Sequence, residues 1–442
     1  MATVVNRKKK PAKRKFVTHT GSHWKEYKTE NTLLYHYKCT EMSNILQELL
    51  RASEKAACIA RACRQEETLF QLLIEEKKEG EKNKKFLTDF KTLADVLVQE
   101  VIKHDIGRKF PGLEKNIAGE ESNEFTNELG EKIIVRVCAT EKETAKLLQR
   151  VLDNNEAASK ALARAVHEDV QLSDPALDAV HINIPHDNIA MWVDPIDSTY
   201  QYIKGSSDIT PNNGIFIKGL QCVTVLIGAY LIDTGLPIMG VINQPFATRD
   251  PKTLRWKGEH YWGLSYMDTN ICSLQISSKV NNLDNPSSGP PPCIENRNNL
   301  YSAVTSSAEA KNILGTLSSL CEENLYFAAG AGYKCLCVVQ GLVDFYVFSE
   351  DTTFKWDCCA PHAILRSLGG GILDLSKCLK NARHKSEFSE KPHLLYNMEV
   401  EGSTGADRWS NKGGLIAYRS EKHLESFMDL FIKNLALQNE QH

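Results

Sequence analysis

The apolar run IAMWV (189–193) ends in two carboxylates, Asp194 and Asp197, with Pro195 between them and the hydroxyl pair Ser198-Thr199 directly behind. Such a run reads as a buried strand, and unpaired carboxylates where a core ends are costly. Pro195 fixes the turn, so both acids are held at that strand end. A hard cation such as magnesium takes oxygen ligands, chiefly carboxylates and carbonyls. In the DPIDST turn Asp194 and Asp197 can point to one side while the Ile196 carbonyl is left out of the strand ladder. Ser198 and Thr199 stand at an expected helix start, whose free amides favour a phosphate.

Three further acidic signals accompany this turn. Asp95 shares a face of the helix predicted over 92–106 with Thr92 and Gln99. Glu120 and Glu121 follow Gly119 at an expected strand end, and Asp357 follows Trp356 ahead of a helix that opens with small residues. Singly, each has an ordinary explanation: an exposed helix acid, a solvated turn, an N-cap. No G-x-x-x-x-G-K-[ST] phosphate loop, HExxH motif or Ser-His-Asp order is present. His362, on the helix after Asp357, is read as structural.

The 442 residues are enough for two cores. A formal charge of −3 gives no general attraction for nucleic acid or an anionic membrane. The longest apolar stretch, CVTVLIGAYLI (222–232), is about half the roughly 20 residues that cross a bilayer, and reads as a buried strand. Thirteen cysteines include no CxxC pair and are expected to be reduced thiols of a cytoplasmic protein. Residues 1–41 are expected to form a disordered extension, whose basic run RKKKPAKRK (7–15) resembles a nuclear import signal. The folded chain is then expected from Met42, with a first sheet half over about 42–235 and a second over 236–442. The charge-dense EEKKEGEKNKKF (75–86) reads as a solvated loop, with a lysine-bearing lid over an anionic substrate as the alternative; NNLDNPSSGPPP (281–292) reads as a surface loop. Strands are expected at 189–194, 221–232, 238–245, 261–266 and 274–278. Past them strands and helices alternate, which argues for α/β layering with partly parallel strands.

Asp95, GEE (119–121), DPIDST (194–199) and WDCCA (356–360), in this order, resemble the magnesium-dependent, lithium-sensitive phosphomonoesterase superfamily. That superfamily includes inositol monophosphatases, bisphosphate nucleotidases, inositol polyphosphate 1-phosphatases and fructose-1,6-bisphosphatases. The joint pattern is far more specific than DPIDST alone. Supporting stretches such as DFKTLADVLVQEVI (89–102), AAGAGYKCLCVVQGLVD (328–344) and FSEDTTFKWDCCA (348–360) are most similar to the inositol polyphosphate 1-phosphatase branch. The resemblance spans Met42 to about Leu435.

This resemblance implies a layered α/β/α/β/α sandwich with the active site between two sheet-bearing halves. It implies removal of the 1-phosphate from inositol 1,4-bisphosphate and inositol 1,3,4-trisphosphate by a magnesium-activated water, inhibited by lithium. Glu120, Asp194 and the Ile196 carbonyl would hold one magnesium; Asp194, Asp197 and Asp357 would hold a second. Glu121 would support the first ion or, with Asp95, hold a third. Asp95 and Thr199 would form the general-base pair, and Ser198 with adjacent amides would hold the reacting phosphate. Lys334 would meet a non-reacting phosphate, with Gly330 allowing close backbone approach. The AEAK stretch (308–311) departs from the family's Ser- and Lys-bearing loop at the substrate rim, where Ser306, Ser307 and Lys311 stand near enough to compensate. The partners implied are small inositol polyphosphates, with neither nucleic acid nor membrane, and the chain is taken as a monomer. Two alternatives are a bisphosphate nucleotidase acting on 3′-phosphoadenosine 5′-phosphate and a catalytically silent scaffold that binds inositol phosphates through its lysines.

Overall fold

Among the described residues, three separate apolar cores mark the layers of the fold. The computed structural model describes residues 24–65, 70–85, 88–172, 174–178, 180, 184–275, 301–383 and 391–440. Strand β1 (Ile74–Glu76) pairs with β2 (Phe90–Thr92) at the edge of the fold. The first large sheet begins with β3 (Ile117–Gly119); a small hairpin of β4 (Glu124–Thr126) and β5 (Lys132–Ile134) follows it in the chain. Strands β6 (Ile189–Asp197), β7 (Thr224–Leu231), β8 (Pro237–Arg249), β9 (Trp256–Tyr266) and β10 (Thr269–Cys272) complete that sheet in the order β3-β6-β7-β8-β9-β10. It is antiparallel except where β3 runs parallel to β6. The second large sheet contains β11 (Ala303–Thr305), β12 (Leu325–Phe327), β13 (Phe345–Phe348), β14 (Gly371–Asp374) and β15 (Leu415–Tyr418), in the order β12-β11-β13-β15-β14. There β11 lies parallel to both β12 and β13.

Alternation along the strands sorts side chains to the two faces of each sheet. Met191 and Val193 of β6 join Leu49, Ile59, Val98 and Val101 in a core under the helices Trp24–Gln65 and Leu93–Lys109. Trp192, between them in sequence, faces the opposite way, into a second core with Leu336, Ile364 and Tyr346. That core holds the helices Ala331–Gln340 and Lys355–Ser367 between the two sheets. The far face of the second sheet sends Phe345 and Ile416 against Leu317 and Phe427, on the helices Lys311–Cys321 and Glu421–Glu440. The result is the expected α/β/α/β/α sandwich.

Expectations differ from the structure in five places. The first large sheet runs on through β8, β9 and β10 to Cys272, so the division between the two sheets lies beyond Cys272 and not at 235–236. The first helix reaches back to Trp24, so the expected boundary at Met42 falls inside it; neither Gly nor Pro occurs between Gly21 and Gly80 to stop it. The strand expected at 274–278 lies earlier, as β10, because a turn at Met267, whose φ is 50°, folds Thr269–Cys272 back onto β9. Leu274 and Gln275 are helical, and the rest of that stretch lies outside the described residues. The charge-dense stretch from 75 is not simply solvated: it opens in β1, and both Glu75 and Lys77 are buried. Asp357 is not an N-cap but the third residue of its helix. The basic run 7–15 and the loop 281–292 lie outside the described residues. Among the described residues, no helix is long and apolar enough to cross a membrane.

The helix Lys355–Ser367 approaches the first sheet unusually closely. Gly228, Gly240 and Gly263 are cross-strand partners on β7, β8 and β9, forming a shallow trough beneath it. A Cβ on Gly240 would stand 2.8 Å from the Ala360 carbonyl carbon, and one on Gly228 would stand 2.6 Å from that of Cys359. Both collisions are with backbone, which cannot swing aside. Overpacking of this kind costs about 1–3 kcal/mol and sometimes more. Gly240→Ala is therefore expected to lower the melting temperature by displacing this helix. Calorimetric melting checks this, and an unchanged melting temperature would refute the close-approach account.

Candidate active site

The bulge at the end of β6 shapes the site. In a regular strand residues three apart point to opposite faces. Here Asp194 pairs with Leu226 and Asp197 with Thr224, so β6 spends one more residue than β7 between those pairs. A bulge re-aims side chains in this way, and it brings the two aspartates together. Oxygens of Asp194, Asp197 and Asp357 lie within 4.8 Å of one another, all three residues buried. Asp197 is held by the Thr224 hydroxyl at 3.1 Å and by the amides of Gly332 and Ala331 at 3.0 and 3.3 Å. Asp357 accepts from the Phe354 amide at 2.6 Å. Asp194 Oδ1 is buried with no hydrogen-bond partner.

Asp95 is fully buried at the first turn of its helix, where the Thr92 amide and hydroxyl both donate to Oδ2 at 2.6 Å. The Thr199 hydroxyl lies 3.3 Å from Asp95 Oδ1 and 3.0 Å from the Ile196 carbonyl. Glu120 and Glu121 leave the end of β3, where Gln99 accepts from the Glu121 amide at 3.0 Å and donates to its carbonyl. Both glutamates meet one cation that the sequence reading did not single out. Lys77 Nζ stands 2.5 Å from Glu120, 2.7 Å from Glu121 and 4.0 Å from Asp89, and only 3% of the residue is exposed.

A cavity of about 490 Å³ is lined by Asp194, Asp197, Asp357, Ser198, Thr199 and Lys334, and Glu120 and Gly330 also reach it. Asp95, Glu121 and Ile196 stand behind its wall. Ser198 adopts a left-handed φ of 73° at the start of the helix Thr199–Lys204, a conformation that costs a non-glycine residue about 1–3 kcal/mol. Gly330, at φ 77°, passes so near that a Cβ there would stand 2.9 Å from Asp197 Oδ2. Lys334 is buried, donates to the Gly330 and Ala328 carbonyls at 2.7 and 3.3 Å, and lies 5.1 Å from the Tyr346 ring centre. His362 bonds to the Tyr396 hydroxyl and to His393 in the core, a structural placement.

Burial pushes the acids up, and their neighbours push further. Asp95 rises to about 7, with Glu120 adding to burial and Thr92 opposing it. Glu121 and Asp357 each rise to about 8. Asp194 is raised well above the usual range by burial and by Glu120, Asp197 and Asp357; its carboxyl is close enough to that of Asp357 to share a proton. Asp197 is also raised, although Lys334 and Thr224 oppose the shift. For Lys77, burial is outweighed by Glu120, Glu121 and Asp89 together, and its ammonium is held well above the ordinary range. Burial lowers Lys334 to about 8, with Lys85 adding to the effect. An all-oxygen donor set, mutual repulsion and the bare Asp194 Oδ1 together fit a hard divalent cation.

The sign of the resulting pH dependence follows from raised carboxyl values. Without metal, these acids stabilise the fold fully below their unfolded pKa near 4. That contribution is lost as pH rises through about 7 for Asp95 and about 8 for Glu121 and Asp357. Melting temperatures in a chelator should therefore fall between pH 5 and 8.5 (about the range these values bracket), and a bound divalent cation should reverse the fall. Asp194→Asn should raise the chelated melting temperature at the alkaline end and remove most of the increment that a divalent cation gives. A fluorimetric melting series across pH tests this; a pH-independent chelated protein would contradict it.

The sequence matches the inositol monophosphatase family over residues 115–424. The inositol polyphosphate 1-phosphatase of Homo sapiens is 64% identical over 395 residues, covering 89% of this chain and 98% of that protein. The protein of the same name from Bos taurus is 63% identical over 397 residues, with the same shares. A more distant relative is 3'(2'),5'-bisphosphate nucleotidase 1 of Mus musculus, 26% identical over 376 residues, 83% of this chain and 91% of that one. With the family pattern matched over more than half its length and a relative 64% identical covered almost end to end, the chain belongs to the inositol monophosphatase family.

Proposed function

We propose that this chain is a magnesium-dependent, lithium-inhibited phosphatase that removes the 1-phosphate from inositol 1,4-bisphosphate and inositol 1,3,4-trisphosphate. The observation that carries the chemistry is one cavity wall that joins the carboxylates of Asp194, Asp197 and Asp357 to the Thr199 hydroxyl, itself bonded to the buried Asp95. The substrate class is supported by the two inositol polyphosphate 1-phosphatases that are more than 60% identical to this chain.

Asp194, Asp197 and Asp357, with Glu120 and the Ile196 carbonyl, would hold two magnesium ions, Asp194 being shared; Glu121 with Asp95 would support a third. When bound, magnesium neutralises the phosphate dianion, lowers the pKa of water and offsets charge on the leaving oxygen. Thr92 occupies Asp95 Oδ2, which leaves Oδ1 to the Thr199 hydroxyl. A hydroxyl has one proton and two lone pairs. Engaging the Ile196 carbonyl in the ligand set leaves Asp95 as the Thr199 acceptor, and a Thr199 lone pair then faces the attacking water. Asp95 draws the proton through Thr199, the two acting as one base. Ser198, held in its strained backbone conformation, presents its hydroxyl to the reacting phosphate. Lys334 supplies positive charge for a phosphate that stays.

Phosphate release from inositol 1,4-bisphosphate, with and without magnesium, tests the reading beside 3′-phosphoadenosine 5′-phosphate. Faster turnover of the nucleotide would make the chain a nucleotidase, and no release from either would make it a scaffold. Thr199→Ala should lower kcat by about 10²–10⁴-fold, the usual worth of general-base assistance, with little change in KM. Asp95→Asn should match that loss, and the double variant should be little worse than either. Multiplying losses would mean that the two residues act independently.

A further inference from the structure

The loop after β1 crosses from the first half of the fold to the second. The Gly80 carbonyl accepts from the Ala406 amide at 2.9 Å, Asn83 donates to the Thr352 carbonyl at 3.0 Å, and Lys84 pairs with Asp351 at 2.6 Å. Next to these ties, Lys85 Nζ stands 3.4 Å from Ser306 Oγ and 5.3 Å from the centre of the Phe348 ring. Lys85 and Ser306 line the same cavity as Lys334 and the aspartates. Lys85 also acts electrostatically on Lys334, so two ammonium groups share one anionic-ligand cavity.

The rim loop itself offers no cation there. Lys311 opens its helix, exposed and outside the cavity lining. Glu309, the acid of that loop, is turned into the fold, accepting from the Ser349 amide at 3.0 Å, the Ser349 hydroxyl and the Ala310 amide at 2.7 Å. Ser306, Ser307 and Ala308 face the cavity instead. The rim is thus uncharged on one side and met by Lys85 from the other half of the fold.

We propose that Lys85 is a specificity-determining residue whose ammonium, together with Lys334, receives the phosphate that is not removed. This rests on the reading of the substrate as an inositol polyphosphate. A charge-assisted hydrogen bond partly open to solvent is worth about tenfold in binding. The experiment compares kcat/KM for inositol 1,4-bisphosphate and inositol 1-phosphate in the wild type, Lys85→Met and Lys85→Arg. The ratio of the two should fall about tenfold in Lys85→Met, through KM for the bisphosphate, and recover in large part in Lys85→Arg. An unchanged ratio in a Lys85→Met protein of normal melting temperature, or equal losses on both substrates, would overturn the assignment. Calorimetric titration of inositol 1,4-bisphosphate on the Thr199→Ala background reads binding with turnover suppressed. Weaker binding there with Lys85→Met supports Lys85 even if the wild type releases no phosphate, a result that would sink the substrate reading alone.

Discussion

Like charge held in a dry place is the constraint around which this molecule is arranged. Asp95, Glu121, Asp194, Asp197 and Asp357 are all buried, and a buried carboxylate without a partner neutralises itself or costs several kcal/mol. The fold answers with donors from many elements: the Thr92 and Thr224 side chains, and the amides of Phe354, Ala331 and Gly332. Two lysines are buried among them, Lys77 against Glu120 and Glu121 and Lys334 near Asp197. These donors do not cancel the repulsion, as the raised pKa values of Asp194 and Asp357 record. The residual field is what a divalent cation would relieve.

Delivering those acids to one point requires three separate geometric devices. The β6 bulge turns Asp194 and Asp197 to a common side. The glycine trough lets the helix Lys355–Ser367 settle onto β7, β8 and β9, which carries Asp357 down to meet them. The first-turn amides of the helix Ala331–Gln340 secure Asp197 from the second half of the fold. Each device uses backbone, so the positions of the acids are set by packing rather than by flexible side chains. The cavity between the halves then follows from how closely those layers can approach.

Much of this was legible in the sequence because its signals are local. Alternation of Met191, Trp192 and Val193 marks a strand with two buried faces, and DPIDST marks where it ends. Lys77 was illegible for the opposite reason. Hydropathy weighs each residue alone, and a lysine in a charge-dense run reads as solvated; what buries it is a pair of glutamates 43 residues away at Glu120 and beyond. Lys85 belongs to the run whose alternative reading is a lysine-bearing lid, but which lysine reaches the cavity is set by Ser306 and Phe348, from the other half of the chain. Asp357 looked like an N-cap because Asp favours that position; only the helix start at Lys355 places it one turn in. The hairpin at β10 was missed because Met267 supplies the left-handed turn conformation that sequence rules assign to Gly or Asn.

The donors also divide the labour within single carboxyl groups. An ionised carboxylate offers two oxygens and about four lone pairs, so binding one oxygen to the fold leaves the other for the site. Thr92 takes Oδ2 of Asp95, and Oδ1 meets Thr199. The Phe354 amide takes Oδ2 of Asp357, whose carboxyl also meets that of Asp194. Lys77 takes Oε1 of Glu120, which still reaches the cavity. Asp194 departs from the rule, because its Oδ1 is buried and has no donor at all. A carboxyl left so bare inside a protein either holds a proton, as the neighbouring Asp357 carboxyl allows, or is relieved by a cation. Among the acids here, Asp194 is therefore the one whose placement a bound cation would relieve most.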